Sequence, residues 1–289
     1  MFWYYFIPAV CAAAAVLIVA LEKMAKNAAD LRLVEVFPEK IEGYRSKIYS
    51  DLSFCQISDL HIGHMNAQWG RILEAVKSTS PEFIVITGDL LNKAGEIDEV
   101  KDFLYCISAG SGVPILITPG NHDNEAFPGG ALAAALEDVP GDVRVLDDAY
   151  TVIGGTLILG LADHRSRSGS PQELIDRCAG IASENGLNYI VATHNPDLLQ
   201  YGGEKLTAPE EPPVLTVAGH THAGQVKLPF KMEFTLLKKD KLPLEGICYG
   251  PYMYGGFPLY ITSGLGCSLF SLRSGTRPEV VKISCNKNV

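Results

Sequence analysis

The chain has no cysteine pair at metal-binding spacing. Its seven cysteines (Cys11, Cys55, Cys106, Cys178, Cys248, Cys267 and Cys285) stand far apart with no CxxC. That removes the ground for a structural cysteine-type zinc site and for a dense disulfide frame. Scattered thiols of odd number fit a reducing compartment instead. No segment repeats at a fixed period, which argues against solenoids and propellers. Basic residues are the minority, with 24 Lys and Arg against 33 Asp and Glu, and the formal charge of −9 argues against a broad nucleic-acid surface. Histidine is scarce as well. Only seven occur in 289 residues, so where they fall carries information.

What is present begins with an uncharged run. Residues 2 to 21, FWYYFIPAVCAAAAVLIVAL, carry no charge, and roughly 20 apolar residues span a bilayer. No Lys or Arg precedes the run, unlike a cleaved signal peptide. The expectation is one N-terminal transmembrane helix, a single-pass anchor over residues 1–22, then a connector over 23–50 containing an edge strand. Lys23, Lys26 and Arg32 follow the run. With the free thiols, they predict a cytoplasmic catalytic domain held at the membrane.

From residue 51 to 289 the pattern is that of one α/β domain. LSFCQIS, PEFIVITGDL and VPILITPGNHD read as buried strands. The segments between them carry apolar residues at helical spacing, the signature of strand–helix–strand units. The second half is richer in strands: VRVL, AYTVI, TLILG, NYIVATH, VLTVAGH, GQVKLP, PLYITSG and EVVKIS, with one helix over PQELIDRCAGIASENG. Two sheets packed face to face with helices outside are expected.

In five places a strand-like run ends in metal-ligating residue types. Asp59 and His61 come from ISDLHIG, Asp89 from ITGDLL, and Asn121, His122 and Asp123 from TPGNHDN. His194 comes from VATHNPD, and His220 and His222 from VAGHTHAGQ. Polar groups of α/β folds gather at the carboxyl ends of strands. In Asp-x-His and His-x-His the two side chains share one face of an extended segment, so both can reach one cation. Gly88, Gly120 and Gly219 each precede one of these residues, which allows sharp turns and close approach. Carboxylate, imidazole and amide oxygen together suit Mn, Fe or Zn. His64 and His164 stand outside these motifs, and a structural role is expected for both.

DLH, GD, GNHD, H and GHTH, in this order, resemble the calcineurin-like metallophosphoesterase superfamily. The resemblance is closest to a membrane-associated branch, through His194-Asn195-Pro196-Asp197, Gly264-Leu265-Gly266 and Arg277-Pro278-Glu279. Ala223 stands where that branch usually has glycine. The resemblance implies a two-sheet sandwich flanked by helices and two divalent metal ions. Asp59, His61 and His222 would hold the first, Asn121, His194 and His220 the second, and Asp89 both. His122 would face the phosphate without ligating, and Asp123 would hydrogen-bond His122. The activity implied is hydrolysis of a phosphate ester or pyrophosphate by hydroxide formed at the metal pair.

Relatives in that branch include UDP-diacylglucosamine pyrophosphatases, so a lipid-linked substrate is expected. A soluble phosphodiester or phosphomonoester is the alternative. A metal-binding interaction module is the alternative of another class, but such a chain would lack a ligand or the non-ligating histidine. Arg273 and Arg277 are candidate phosphate contacts. The aromatics Tyr249, Tyr252, Tyr254, Phe257, Tyr260 and Phe270 read as core beneath loops, with a lid beside the site as the alternative.

Overall fold

The computed structural model describes residues 2–163, 168–235, 240–268 and 270–287, without the side chains of residues 2–9, 11, 12 and 229. The chain opens with α1 (Phe2–Ala29), β1 (Arg32–Val36) and β2 (Leu52–Ile57). It continues through α2 (Trp69–Ser78), β3 (Ile84–Ile86), α3 (Ile97–Ser111), β4 (Ile115–Ile117), α4 (Asn121–Ala126), α5 (Ala131–Ala135) and β5 (Val143–Val145). Then come β6 (Ala149–Ile153), β7 (Thr156–Leu161), α6 (Gln172–Asn185), β8 (Asn188–Thr193) and β9 (Leu215–Ala218). The last elements are α7 (Met232–Thr235), β10 (Gly250–Tyr254), β11 (Phe257–Ile261) and β12 (Glu279–Cys285).

Two six-stranded mixed sheets result, in the orders β1-β12-β2-β3-β4-β5 and β10-β11-β9-β8-β7-β6. The two-residue period of a strand explains how they stack. Phe54, Val85 and Leu116 point between the sheets and meet Ile190, Val217 and Tyr260 from the other side. Their neighbours Cys55, Ile57, Ile84, Ile86, Ile115 and Ile117 point outward beneath α2 and α3. Tyr189 and Val191 do the same beneath α6. The expected sandwich with helices outside is therefore the observed one.

Strands β2, β3 and β4 run parallel, as do β7, β8 and β9. Five ligand-bearing loops therefore leave the carboxyl ends of β2, β3, β4, β8 and β9. Gln56 ties the two sheets near that edge, its Nε2 donating to Thr87 Oγ1 (3.1 Å) and to the Ala218 carbonyl (3.0 Å).

Two sequence expectations change. GQVKLP is not a strand, and only Val226 bridges, to Ser274. EVVKIS does form a strand, β12, which lies in the first sheet between β1 and β2. The transmembrane helix over residues 1–22, and with it the membrane as a partner through that helix, is not borne out. Among the described residues no helix is long and apolar enough to cross a membrane. Part of the expected span, residues 1–9, 11 and 12, lies outside the described side chains. The last turns of α1 dock on the domain instead. Ala28 is fully buried, the Arg273 N–H donates to the Met24 carbonyl (3.1 Å), and Asn27 Nδ2 donates to the Arg273 carbonyl (3.4 Å).

Candidate metal centre

The five loops lock onto one another through their backbones. Asp59 N–H donates to the Gly88 carbonyl, His61 N–H to the Asp89 carbonyl, and Gly219 N–H to the His194 carbonyl, all between 2.9 and 3.0 Å. Approach this close needs small residues. A methyl group on Gly120 would collide with Asp89 Oδ1, and one on Gly219 with Ser58 Oγ and Asp59 Oδ2. Asp59, His61, Asp89, His220 and His222 all have positive φ, between 38° and 67°. Left-handed backbone is unfavourable for such residues and gathers at functional sites.

The side chains meet in three overlapping groups, each with ligand atoms within 4.8 Å of one another. They are Asp59, His61 and His222; His61, Asp89 and His122; and Asp89, His194 and His220. Asp89 belongs to the second and third, and His61 to the first and second, so the three form one chain. All except His122 are buried. His122, half-buried, stands edge-on to His61 with ring centroids 5.1 Å apart. Its backbone N–H donates to Asp89 Oδ1 at 2.9 Å.

Hydrogen bonds around the rings fix which nitrogens are free to ligate. His194 Nδ1 faces the Thr87 carbonyl at 2.8 Å, and a carbonyl only accepts. Nδ1 therefore carries the hydrogen and Nε2 points inward, 3.2 Å from Asp89 Oδ2 and 3.0 Å from His220 Nδ1. His61 Nδ1 donates to Asn92 Oδ1 (2.8 Å), which turns its Nε2 toward His222 Nε2 (3.2 Å) and Asp89 Oδ2 (3.6 Å). Asn121 Oδ1 is buried with no hydrogen-bond partner among the described residues, a costly state for an amide oxygen. Imidazole nitrogens and carboxylate oxygens thus gather in overlapping groups, and cations there would satisfy their lone pairs. The residues present fit a pair of divalent ions, and this orientation of ligand imidazoles by carbonyl and amide partners is the usual support of a metal site.

Charge follows from the same packing. Burial pushes the His61 imidazole down to about 4, so it is neutral. Burial acts on His194 the same way but is outweighed by the Asp89 carboxylate, and its pKa is pushed up to about 10. Burial would raise Asp89, but His194 and His61 overcome it and hold the carboxylate well below its ordinary range. Asp59 is raised by burial, with Asp89 adding to the effect.

Two sequence expectations fail here. Asp123 does not bond His122. Its Oδ1 accepts the Leu90 N–H (2.8 Å) and its Oδ2 the Gly120 N–H (2.9 Å), which staples the β3 loop to the β4 loop. The reason is helical geometry: α4 begins at Asn121, neighbouring residues on a helix point apart, and the third reaches back to the cap. Arg273 and Arg277 do not offer a phosphate clamp. Arg273 is fully buried, its Nη2 donating to the carbonyls of Gly264 (3.2 Å) and Gly266 (2.5 Å). Arg277 pairs with Asp30 at 2.7 Å.

Of the other expectations, His64 joins none of the three groups, and His164 lies outside the described residues. The aromatic stretch divides. Tyr254, Phe257 and Tyr260 are core, whereas Phe270 is 71% exposed. Phe230 is 94% exposed on the loop after the His220–His222 turn. Sequence reasoning missed Asn92 and Asp240. Asp240 lies 3.1 Å and 3.2 Å from His220 Nε2 through its two oxygens. Neither stands in a motif, although Asn92 is only three residues past Asp89.

Comparison with known proteins agrees with this geometry. YkoQ, an uncharacterized metallophosphoesterase of Bacillus subtilis, is 25% identical over 90% of this chain and 92% of its own length. The phosphodiesterase YaeI of Escherichia coli is 36% identical over 35% of this chain and 34% of its own. The UDP-2,3-diacylglucosamine pyrophosphatase LpxG of Chlamydia muridarum is 25% identical over 81% of this chain and 83% of its own. The calcineurin-like phosphoesterase family model matches residues 52–224, a range that holds every residue of the three groups. The chain belongs to the calcineurin-like phosphoesterase family and is a metal-dependent hydrolase.

Proposed function

We propose that this phosphoesterase cleaves a pyrophosphate or phosphate ester bond of a lipid-linked substrate. The observation that carries the chemistry is Asp89, a single carboxylate shared by two imidazole-bearing groups. We assign Asp59, His61 and His222 to one ion, Asn121, His194 and His220 to the other, and Asp89 to both. When bound, such a pair neutralises phosphoryl oxygens and lowers the pKa of water. The protein's own part is to hold the donors fixed, since rings locked by Thr87, Asn92 and Asp240 need no reorganisation. His122, half-exposed at the mouth, is placed to stabilise charge on the phosphoryl group or to protonate the leaving oxygen.

The lipid-linked reading is supported by similarity to LpxG over most of both chains. Exposed Phe230 and Phe270 support it further. Gln225, three residues past His222, donates from Nε2 to the Phe270 carbonyl (3.0 Å), which ties the Phe270 backbone to the turn after the His220–His222 motif. A soluble diester is the second reading, favoured by the match to the phosphodiesterase YaeI. The test is to load the full chain with Mn²⁺ and assay p-nitrophenyl phosphate, bis-p-nitrophenyl phosphate and a nucleotide-diphospholipid side by side. Preference for the diphospholipid, lost in Phe230→Ser/Phe270→Ser, supports the proposal. Preference for the soluble diester, unaffected by those substitutions, contradicts it.

A further inference from the structure

The Asn195-Pro196-Asp197 that follows His194 takes no part in the chemistry above. It acts on the far side of the centre. Asn195 Oδ1 accepts the Asp197 N–H (2.9 Å) and fixes the turn. The Asp197 carboxylate then captures two successive backbone groups from a remote segment: Lys241 N–H at 2.6 Å and Leu242 N–H at 2.9 Å. Leu242 is fully buried in the core beneath the second sheet, which pins that segment. The residue before it is Asp240, only 3% exposed, with both oxygens on His220 Nε2. An ionised carboxylate only accepts, so Nε2 carries the hydrogen and the lone pair remains on Nδ1. That lone pair faces His194 Nε2 at 3.0 Å.

We propose that Asp197 and Asp240 form a strut that sets the tautomer and orientation of His220 for the second ion. Both are positioning residues and neither touches substrate. The two histidines assigned to that ion would then be held from opposite sides, His194 by the Thr87 carbonyl and His220 by a carboxylate that is itself placed by the loop carrying His194. This rests on the assignment of His220 to the second ion.

The test uses the full chain with Mn²⁺ alone. Dialysis against graded chelator reads the affinity of each ion, and electron paramagnetic resonance separates a coupled pair from a single ion. Wild type is expected to hold two ions with a coupled spectrum. Asp240→Ala is expected to lose about 10–100-fold in second-ion affinity and to show an uncoupled spectrum, with the first ion kept. Asp240→Asn, whose amide oxygen still accepts from Nε2, is expected between the two. Adding Asp197→Asn to Asp240→Ala should cost the second ion nothing more, because residues acting through one another are not additive. Wild-type affinity in Asp240→Ala, or in Asp240→Asn if the alanine variant does not fold, would overturn the strut. A wild-type protein that itself holds one ion would overturn the two-ion assignment instead.

Discussion

His61 and His194 are both fully buried imidazoles beside the same carboxylate, Asp89, yet they are held in opposite charge states. His194 Nε2 lies 3.2 Å from Asp89 Oδ2, and the carboxylates of Asp59 and Asp163 also act on it. His61 Nε2 stands farther off at 3.6 Å, and its charged form is further opposed by His122 and His194. Burial therefore wins at one ring and loses at the other. The same donor types give one imidazole that is neutral before an ion arrives and one that must first give up a proton. Residue type sets what can ligate, and the count and distance of neighbouring charges set what ligation costs.

Asp89 is where the two halves touch, so its loss should abolish the comparison. Asp89→Asn is expected to weaken both ions and lower turnover by about 10²–10³-fold or more. Elemental analysis with steady-state rates checks this, and loss of one ion alone would show that the carboxylate serves one half. His122 should separate chemistry from binding. His122→Ala is expected to keep both ions while turnover falls by about 10²–10⁴-fold. Metal content falling together with rate would make it a ligand.

Asp123 should matter to the frame that holds the halves together. Asp123→Ala strands the Leu90 and Gly120 N–H groups, and a buried donor left unpaired costs about 1–3 kcal/mol. Denaturant unfolding of the ion-free protein reads that loss. The pH–rate profile should keep its shape, whereas a shifted profile would return Asp123 to the role of orienting His122. The smallest effect expected is in pH dependence. Binding needs unprotonated imidazole, and with His194 pushed up to about 10 the second ion displaces a proton near neutrality. With His61 held down to about 4, that ring has no proton to give up at the first. Manganese titrations from about pH 6 to 8 should show second-ion affinity rising more steeply with pH, by up to about tenfold per unit, than first-ion affinity. Equal slopes would erase the contrast.

The parts of this centre legible in the sequence are those carried by local pattern. Asp59, Asp89, His194 and His220 each follow a buried strand, and parallel strands bring such ends to one edge. What was illegible depends on contacts between distant segments or on where a helix begins. Asp240 reaches His220 because Asp197 captures the backbone after it, which no spacing reveals. Asp123 sits beside His122 in sequence, but the start of α4 turns it toward Leu90 and Gly120. Arg273 read as a candidate phosphate contact. It lies buried under the Gly264–Gly266 loop, because β12 closes the first sheet across β2.

The most direct test of the two-half account is anomalous diffraction from crystals of the full chain soaked in Mn²⁺. Two peaks are predicted, one touching Asp59, His61 and His222, the other Asn121, His194 and His220, with Asp89 contacting both and His122 contacting neither. A single peak, or a peak ligated by His122, would contradict it.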